Sequence, residues 1–390
     1  MIPLTVSVGF IPLVDAASLI IAQEMGFARS EGIQLDLVAA PSWSSVRDML
    51  AFGRVDAAHM LSPIPVAMAL GLGGVATPLS AVSVLSMNGN AIGVSNALAD
   101  ALIDQGYHFD FVDPAAAGAA LANVAKRPIR FGVPFPFSMH HELLRYWFEA
   151  VGLPEDAASI HTIPPPLMAN AMADGDVDAF CVGEPWGSLA VENGSARLLL
   201  PGAAIWHFAP EKVLAVRTEW AETEPNLLGR IMRAVWRAGK WLSEPENVAL
   251  ASEILARPEY VGVPAEIIER SLSGHLIVSA QGDQRVVPDF VEFHRGVATF
   301  PWRSQAAWIG TQMAERMGKD PETAAQAARA VFRSDLYRDH IAPTGATIPG
   351  ASSKLEGAIR DQTAVASVRG RLFLEPDRFF DGRIFDPGPE

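Results

Sequence analysis

A single cysteine, Cys181, leaves no intramolecular disulfide to be made. That suits a reducing compartment, and in its apolar stretch a small buried thiol is the ordinary reading. Lysine is scarce as well: the chain holds only Lys126, Lys212, Lys240, Lys319 and Lys354. The formal net charge is -14, the opposite of the basic surface that nucleic acid demands. A buried pocket for a small anion is still open, because such a site answers to local groups and not to the total. No apolar run approaches the roughly 18 residues of a membrane span. Nothing near the N-terminus reads as a leader: the first basic residue is Arg29, with no twin-Arg pair and no lipobox cysteine. As it stands, the chain is expected to stay in the cytoplasm and touch no membrane; a leader trimmed and replaced by an initiator Met is the alternative. Also missing are a G-x-S-x-G elbow, a P-loop, a Rossmann glycine fingerprint, an acid/base carboxylate pair and metal-ligand spacing of His, Cys or Asp. The expectation is a protein that is not an enzyme and holds no metal or cofactor.

What the chain does have is an internal echo. LAFGRVDAAHMLSPIPVA runs through Gly53, and MADGDVDAFCVGEPWGSLA runs through Gly175. Gly53, Val55, Asp56, Ala57 and Pro63 recur as Gly175, Val177, Asp178, Ala179 and Pro185. A helix, a Gly-x-Val-Asp-Ala turn, an apolar strand and a proline-started helix thus occur twice. Two such α/β units suggest two lobes facing each other across a cleft, a favoured place for a small molecule. The 390 residues, 49% of them hydrophobic, have room for both lobes and an extension. Strands are expected at Leu4–Gly9, Ile33–Val38, Ala57–Met60, Ala81–Leu85, Ala91–Val94, Ile129–Val133, Ile160–Ile163, Ala179–Val182 and Val213–Val216, alternating with helices in mostly parallel sheets. After Arg217 the pattern turns helical, and from Ala342 it is rich in Pro, Gly and Ser.

Ligands in such folds sit beyond the carboxyl ends of strands, at the N-termini of the following helices, where unpaired N–H groups favour an anion. That rule selects Trp43, Asn90, His140, Pro165 and the Val182-Gly183-Glu184 turn. Ser42 reads as an N-cap just before Trp43. Trp43 would wall the cleft or donate its indole N–H, or else pack in the core. His140 would donate to an anion, or else pack against a neighbour. Lys212 lies just before the strand that returns to the first lobe and can reach the cleft; an exposed loop lysine is the competing reading, and on either one its removal should leave the fold intact. Glu184 would repel an anion and fits better as a partner for a basic group or for backbone N–H groups.

The stretches GFIPLVDAASLIIAQEMGF, PSWSSVRDML, VDAAHMLSPIPVA, NGNAIGV, HHELLRYW, VDAFCVGEPW, PEKVLAVRTEW and FPWRSQAAWI, together spanning Gly9 to about Ile309, closely resemble the nitrate- and bicarbonate-binding proteins of the NrtA/CmpA type. The resemblance implies a type II periplasmic-binding-protein fold: two α/β lobes with a ligand cleft between them and a helical C-terminal extension. Lobe 1 would comprise 1–88 and 213–310, lobe 2 89–212, and the extension 311–390 would wrap lobe 1. It further implies that Trp43, Asn90, His140 and Lys212 surround the anion, with Pro165, Val182 and Gly183 at wall or backbone positions. Asn90 stands where the family usually carries Gln, which shortens the reach. Bicarbonate binders look different at the lysine position, where an acidic residue helps hold calcium; Lys212 favours nitrate or nitrite.

Exported members of the family feed an ATP-binding-cassette permease. The missing leader points instead to the cytoplasmic branch, nitrate sensors of the NasS type. These hold an RNA-binding antiterminator of the ANTAR class (NasT-like) and release it when nitrate or nitrite binds. The solute-binding component of a nitrate transporter is the rival reading. An enzyme on the same fold, as in thiamine-precursor synthesis, would need anchors that the sequence does not offer.

Overall fold

The computed structural model describes residues 3–389. Its core is two mixed sheets. The larger carries β1 (Leu4–Phe10), β2 (Ile33–Ala39), β3 (Ala57–Leu61) and β4 (Leu79–Asn88), in the order β2-β1-β3, then a return strand, then β4. The smaller carries β5 (Asn90–Ser95), β6 (Ile129–Val133), β7 (Ala158–Thr162), β8 (Ala179–Gly183) and β9 (Ala196–Pro201), in the order β7-β6-β8-β5-β9. The return strand is β10 (Pro210–Arg217), which lies between β3 and β4 and runs antiparallel to both. In the smaller sheet β5 takes the equivalent place, antiparallel to β8 and β9. The expected parallel pairing holds for β2-β1-β3 and β7-β6-β8. It reverses at the strand that enters each sheet from the other one.

The echo in the sequence has a physical cause. β3 and β8 occupy matching central positions, and both are buried along their whole length, so each reads as an apolar run, broken in β3 only by His59. Asp56 Oδ2 accepts the backbone N–H of Ser7 at 2.8 Å, tying the entry of β3 to β1. Asp178 Oδ2 accepts the backbone N–H of Arg130 at 3.0 Å, tying β8 to β6 in the same way. Gly53 and Gly175, at φ of +71° and +73°, end the preceding helices in the left-handed region that other residues avoid.

The chain crosses between the sheets at Asn88-Gly89 and returns near His207–Ala209. Asn88 pins the two crossings together: its Nδ2 donates to His207 O at 2.8 Å, and its Oδ1 accepts Ala209 N–H at 3.1 Å. The return strand starts at Pro210 and not at Val213, so Glu211 and Lys212 belong to the larger sheet. β9, which the sequence reading missed, lies at the edge of the smaller sheet. Val291–Glu292 adds a short strand to the edge of the larger one beside β4.

The C-terminal region begins with helices Arg303–Met317, Pro321–Arg329 and Ser334–Ile341, followed by an irregular tail. Lys354 bridges the buried Glu356 and Asp377, which closes a loop in that tail. Phe379 stacks on Trp206 with centroids 4.8 Å apart, and Trp206 packs on Trp308 at 4.7 Å. The expected wrapping of lobe 1 is incomplete as a description. Tyr146 Oη donates to Asp381 Oδ1 at 2.8 Å, and Arg316 pairs with Glu142 at 2.6 Å. Both partners lie on the Met139–Ala150 helix, which follows β6 of the smaller sheet. The extension therefore ties to both lobes.

Candidate ligand-binding site

Local sequence sets each side chain in place. Ser42 caps the Trp43–Ala51 helix by accepting the N–H of Ser45 at 3.2 Å, which holds Trp43 at the first helical position. Ser138 does the same for the Met139–Ala150 helix through His141 N–H at 3.2 Å, with His140 in the first turn. Asn90 opens β5 directly opposite Gly183, the last residue of β8. A Cβ at Gly202 would lie 2.0 Å from Asn90 Oδ1, so the amide occupies space that only a glycine leaves free. Glu211 and Lys212 are consecutive on β10, and Asp15 lies in the 3-10 turn Val14–Ala16 that follows β1.

These elements converge on one buried junction between the sheets. Lys212 Nζ lies 2.6 Å from Asp15 Oδ2 and 2.8 Å from Glu211 Oε1. It also stands 5.4 Å from the centroid of the Trp43 ring, within cation–π range. Asn90 Nδ2 donates to Glu211 Oε2 at 2.8 Å. His140 Nδ1 approaches Glu211 Oε1 to 3.3 Å without the alignment of a hydrogen bond. His59 Nε2 lies 2.9 Å from Asp15 Oδ1, and its ring sits 5.5 Å from that of Trp43. Trp43, Asn90, His140, Glu211 and Lys212 are each no more than 1% exposed. The junction is shut: Val14 N–H donates to Glu184 O at 2.9 Å, and Trp186 Nε1 to Pro12 O at 3.0 Å.

Burial and charge set the protonation states together. For Asp15, burial pushes the carboxyl up, but Lys212 and then His59 overcome it and hold it down at about 2. Burial pulls the Lys212 ammonium down, and the two carboxylates outweigh that and raise it. Glu211 is raised by burial, which Lys212 offsets only in part. His140 and His59 are both lowered, chiefly by burial. Near neutral pH both imidazoles are therefore uncharged.

Of the residues singled out from sequence, Trp43, Asn90, His140, Gly183 and Lys212 meet here. A Cβ at Gly183 would lie 3.4 Å from Asp15 Oδ2 and 3.7 Å from His140 Nε2. Val182 is buried beside Ala91. Pro165 is buried at the start of the Pro165–Leu167 turn after β7, and among the described residues no hydrogen bond joins it to this cluster. The exposed-loop reading of Lys212 is overturned, because its side chain has no accessible surface. Asn90 spends its amide on Glu211 and, through Oδ1, on the Cys181 thiol at 3.7 Å; it orients a carboxylate. Sequence reasoning missed Asp15, His59 and Glu211. A polar residue inside an all-apolar strand was the available signal for His59, and Glu211 stood beside the chosen lysine. Surface cavities such as the one of about 840 Å³ lined by Arg303, Arg329 and Arg333 involve none of these residues.

Several polar atoms in the junction have no hydrogen-bond partner among the described residues: Trp43 Nε1, the ring nitrogens of His140 and His59, and the carboxylate oxygens of Asp15, which are ion-paired to Lys212 and His59. Buried polar groups are rarely left so. The indole N–H, one N–H of the His140 ring and the ammonium form a set that suits a small oxyanion.

Residues 3–256 match the model of the NMT1-like family. The chain belongs to the NMT1-like family. Within this family it stands with the NrtA/CmpA-type solute-binding proteins. The nitrate/nitrite binding protein NrtA of Nostoc sp. is 31% identical over 392 residues, covering 97% of this chain and 82% of that protein. The nitrate import ATP-binding protein NrtC of Synechocystis sp. is 32% identical over 339 residues, covering 86% of this chain. The chain spans about half the length of that relative (49%). The crystal structure of the periplasmic nitrate-binding protein NrtA from Synechocystis superposes with a TM-score of 0.83 at 28% identity, covering 99% of this chain and 96% of the other. The NMT1-like chain thus has the type II periplasmic-binding-protein fold. Among the described residues no helix is long and apolar enough to cross a membrane.

Proposed function

We propose that this protein binds nitrate or nitrite at the junction of its lobes. The observation that carries this reading is the meeting of Lys212 with the unpartnered, buried donors of Trp43 and His140. Nitrate is planar, singly charged and a weak acceptor at each oxygen, so several modest donors around one full charge suit it. The NrtA relatives, nitrate-binding proteins by name, support the same class of ligand. The proposed ligand-facing set is Trp43, His140, Gly183 and Lys212, with Val182 and Pro165 as more distant wall and Asn90 as support. The lobes follow the two sheets, with the region after Ile309 strapping them. The assigned role is binding, with no reaction attached.

With four heavy atoms and a ceiling of about 1.5 kcal/mol per atom, nitrate can gain roughly 6 kcal/mol, a Kd on the order of tens of micromolar. Calorimetry with nitrate, nitrite and bicarbonate tests the assignment. Nitrate or nitrite should bind in that range and bicarbonate should give no heat. Silence with all three anions would remove the reading. Replacing Gly183 with alanine puts a methyl between Asp15 and His140. Its backbone is outside the left-handed region, but the methyl also crowds Leu13 Cδ2 at 3.3 Å, so the thermal midpoint should fall by the equivalent of roughly 1 kcal/mol while nitrate affinity falls about tenfold.

Two uses of the bound anion are supported by different observations. The relatives' names, nitrate import among them, support a component that delivers nitrate to an ATP-driven transporter. The resemblance to NasS-type sensors supports a cytoplasmic regulator that holds an ANTAR-class antiterminator, and the charge of -14 suits a basic partner. In the sensor reading the ligand closes the lobes and only the open form suits the partner. A pull-down with and without nitrate separates them: the sensor releases its regulator on adding the anion, and the transport component captures none.

A further inference from the structure

We propose that the site takes up a proton together with its anion, and that the Glu211–His140 pair holds it. The inference rests on the anion-binding reading above and specifies how that site is regulated. It begins with the groups that face one another at the junction. Lys212 and Glu211 come from β10, Asp15 from the turn after β1, His59 from β3, His140 from the helix after β6, Asn90 from β5 and Cys181 from β8. With both carboxylates ionised and both imidazoles neutral, one ammonium faces two negative charges. The site then carries a net negative charge before any anion arrives, among side chains no more than 2% exposed. A second negative charge is disfavoured in such a place.

The proton cannot go to Asp15, which Lys212 and His59 keep ionised. Lys212 already has its full complement. Cys181 is already protonated, its thiol raised well above the ordinary value by burial. His59 faces Asp15 at 2.9 Å, whose charge Lys212 already shares. The unmatched charge is therefore that of Glu211, whose Oε1 lies 3.3 Å from His140 Nδ1.

The tautomer of His140 gives the proton a second task. When Glu211 is ionised, it is best met by an N–H at His140 Nδ1. A neutral ring then presents a lone pair at Nε2, and that nitrogen lies toward Gly183. A lone pair repels an oxyanion. One added proton reverses this. As a carboxylic acid, Glu211 donates to Nδ1 and the ring must carry its hydrogen on Nε2; as an imidazolium, His140 carries a hydrogen on both nitrogens. In either form Nε2–H faces the Gly183 position as a donor. The same proton cancels the excess charge and turns the ring from acceptor to donor, so anion and proton binding are linked.

Nitrate itself does not titrate near neutrality, so any pH dependence of its binding belongs to the protein. Calorimetric titrations with nitrate from about pH 6 to pH 9, each in two buffers of different ionisation enthalpy, test the linkage. The wild-type protein should take up as much as one proton per nitrate, and its affinity should fall by up to about tenfold per pH unit above the pKa of the free pair. Glu211→Gln should abolish the proton uptake, flatten the pH profile and bind nitrate more tightly than wild type at the alkaline end. Proton uptake that survives in Glu211→Gln would place the proton on His59 and overturn the assignment to the pair. A residue that merely propped up Lys212 would instead lose affinity equally at every pH. Nitrate binding that is flat with pH and indifferent to buffer in the wild-type protein overturns the linkage while leaving the anion site standing. Absence of nitrate binding at every pH defeats the anion site itself. The wild-type titrations decide the matter even if the variant does not fold.

Discussion

Replacing Lys212 with alanine is expected to abolish anion binding and also to destabilise the fold by about 3–5 kcal/mol, the usual cost of stripping one partner from a buried ion pair. The size follows from position. The side chain has no accessible surface, and its ammonium is the counter-charge for both Asp15 and Glu211. Without it, two carboxylates face each other in a dry junction with only neutral imidazoles and the Asn90 amide beside them. The deficit should depend on pH in a definite direction. In the wild-type protein Asp15 is depressed to about 2 from an ordinary value of 3.8. It therefore contributes stability that is present above 3.8 and fades as pH falls toward 2. In the variant that depression is lost, so the two proteins should be far apart near neutrality and converge on acidification. Urea denaturation of both proteins at neutral and mildly acidic pH measures this. Equal midpoints at neutral pH would mean that Lys212 is not the counter-charge. Lys212→Met, which keeps most of the volume, should fail in the same way, since the missing element is charge.

Trp206→Ala should produce a loss of similar size by a different route, about 3–5 kcal/mol from the cavity left by a large buried aromatic. Trp206 lies between Phe379, at 4.8 Å, and Trp308, at 4.7 Å. It is the piece on which the tail and the Arg303–Met317 helix both rest. Thermal unfolding should show the lower midpoint. Limited proteolysis should show new cleavage after about Ala342, because the tail loses its stack before the sheets lose theirs. Cleavage confined to the sheets would place the weak point elsewhere. Trp206 reaches the cluster only through the Gly202 carbonyl, which its backbone N–H meets, and the Asn90 amide packed on Gly202, so a folded fraction should bind nitrate with affinity within a few-fold of wild type.

Much of this molecule could be read before its coordinates. The repeat around Asp56 and Asp178 was visible because the same task is done twice: an aspartate at a strand entry captures the N–H of the neighbouring strand. Trp43 and His140 could be found because serines two or fewer positions upstream cap their helices. The antiparallel course of β5 and β10 could not be found, since an apolar run carries no direction. β9 escaped because Ala196–Pro201 follows its helix with only a short Asn-Gly-Ser turn. Burial of Lys212 was also out of reach. Nothing local distinguishes a lysine in a loop from one held between Asp15, which lies 197 positions away, and its own neighbour. Only the return of β10 into the first sheet brings these charges together, and with them the reason why Glu211 and Asp15 matter.

The links from the C-terminal region to Glu142 and Asp381's partner Tyr146 have a mechanical consequence. They fasten the two halves along one flank, on the side of the Met139–Ala150 helix. Parting the halves evenly would break these links, whereas a swing about that flank would stretch them least. On the binding reading proposed above, an incoming solute would enter from the opposite side, past a strap anchored at Arg316 and Asp381, neither of which belongs to the proposed site.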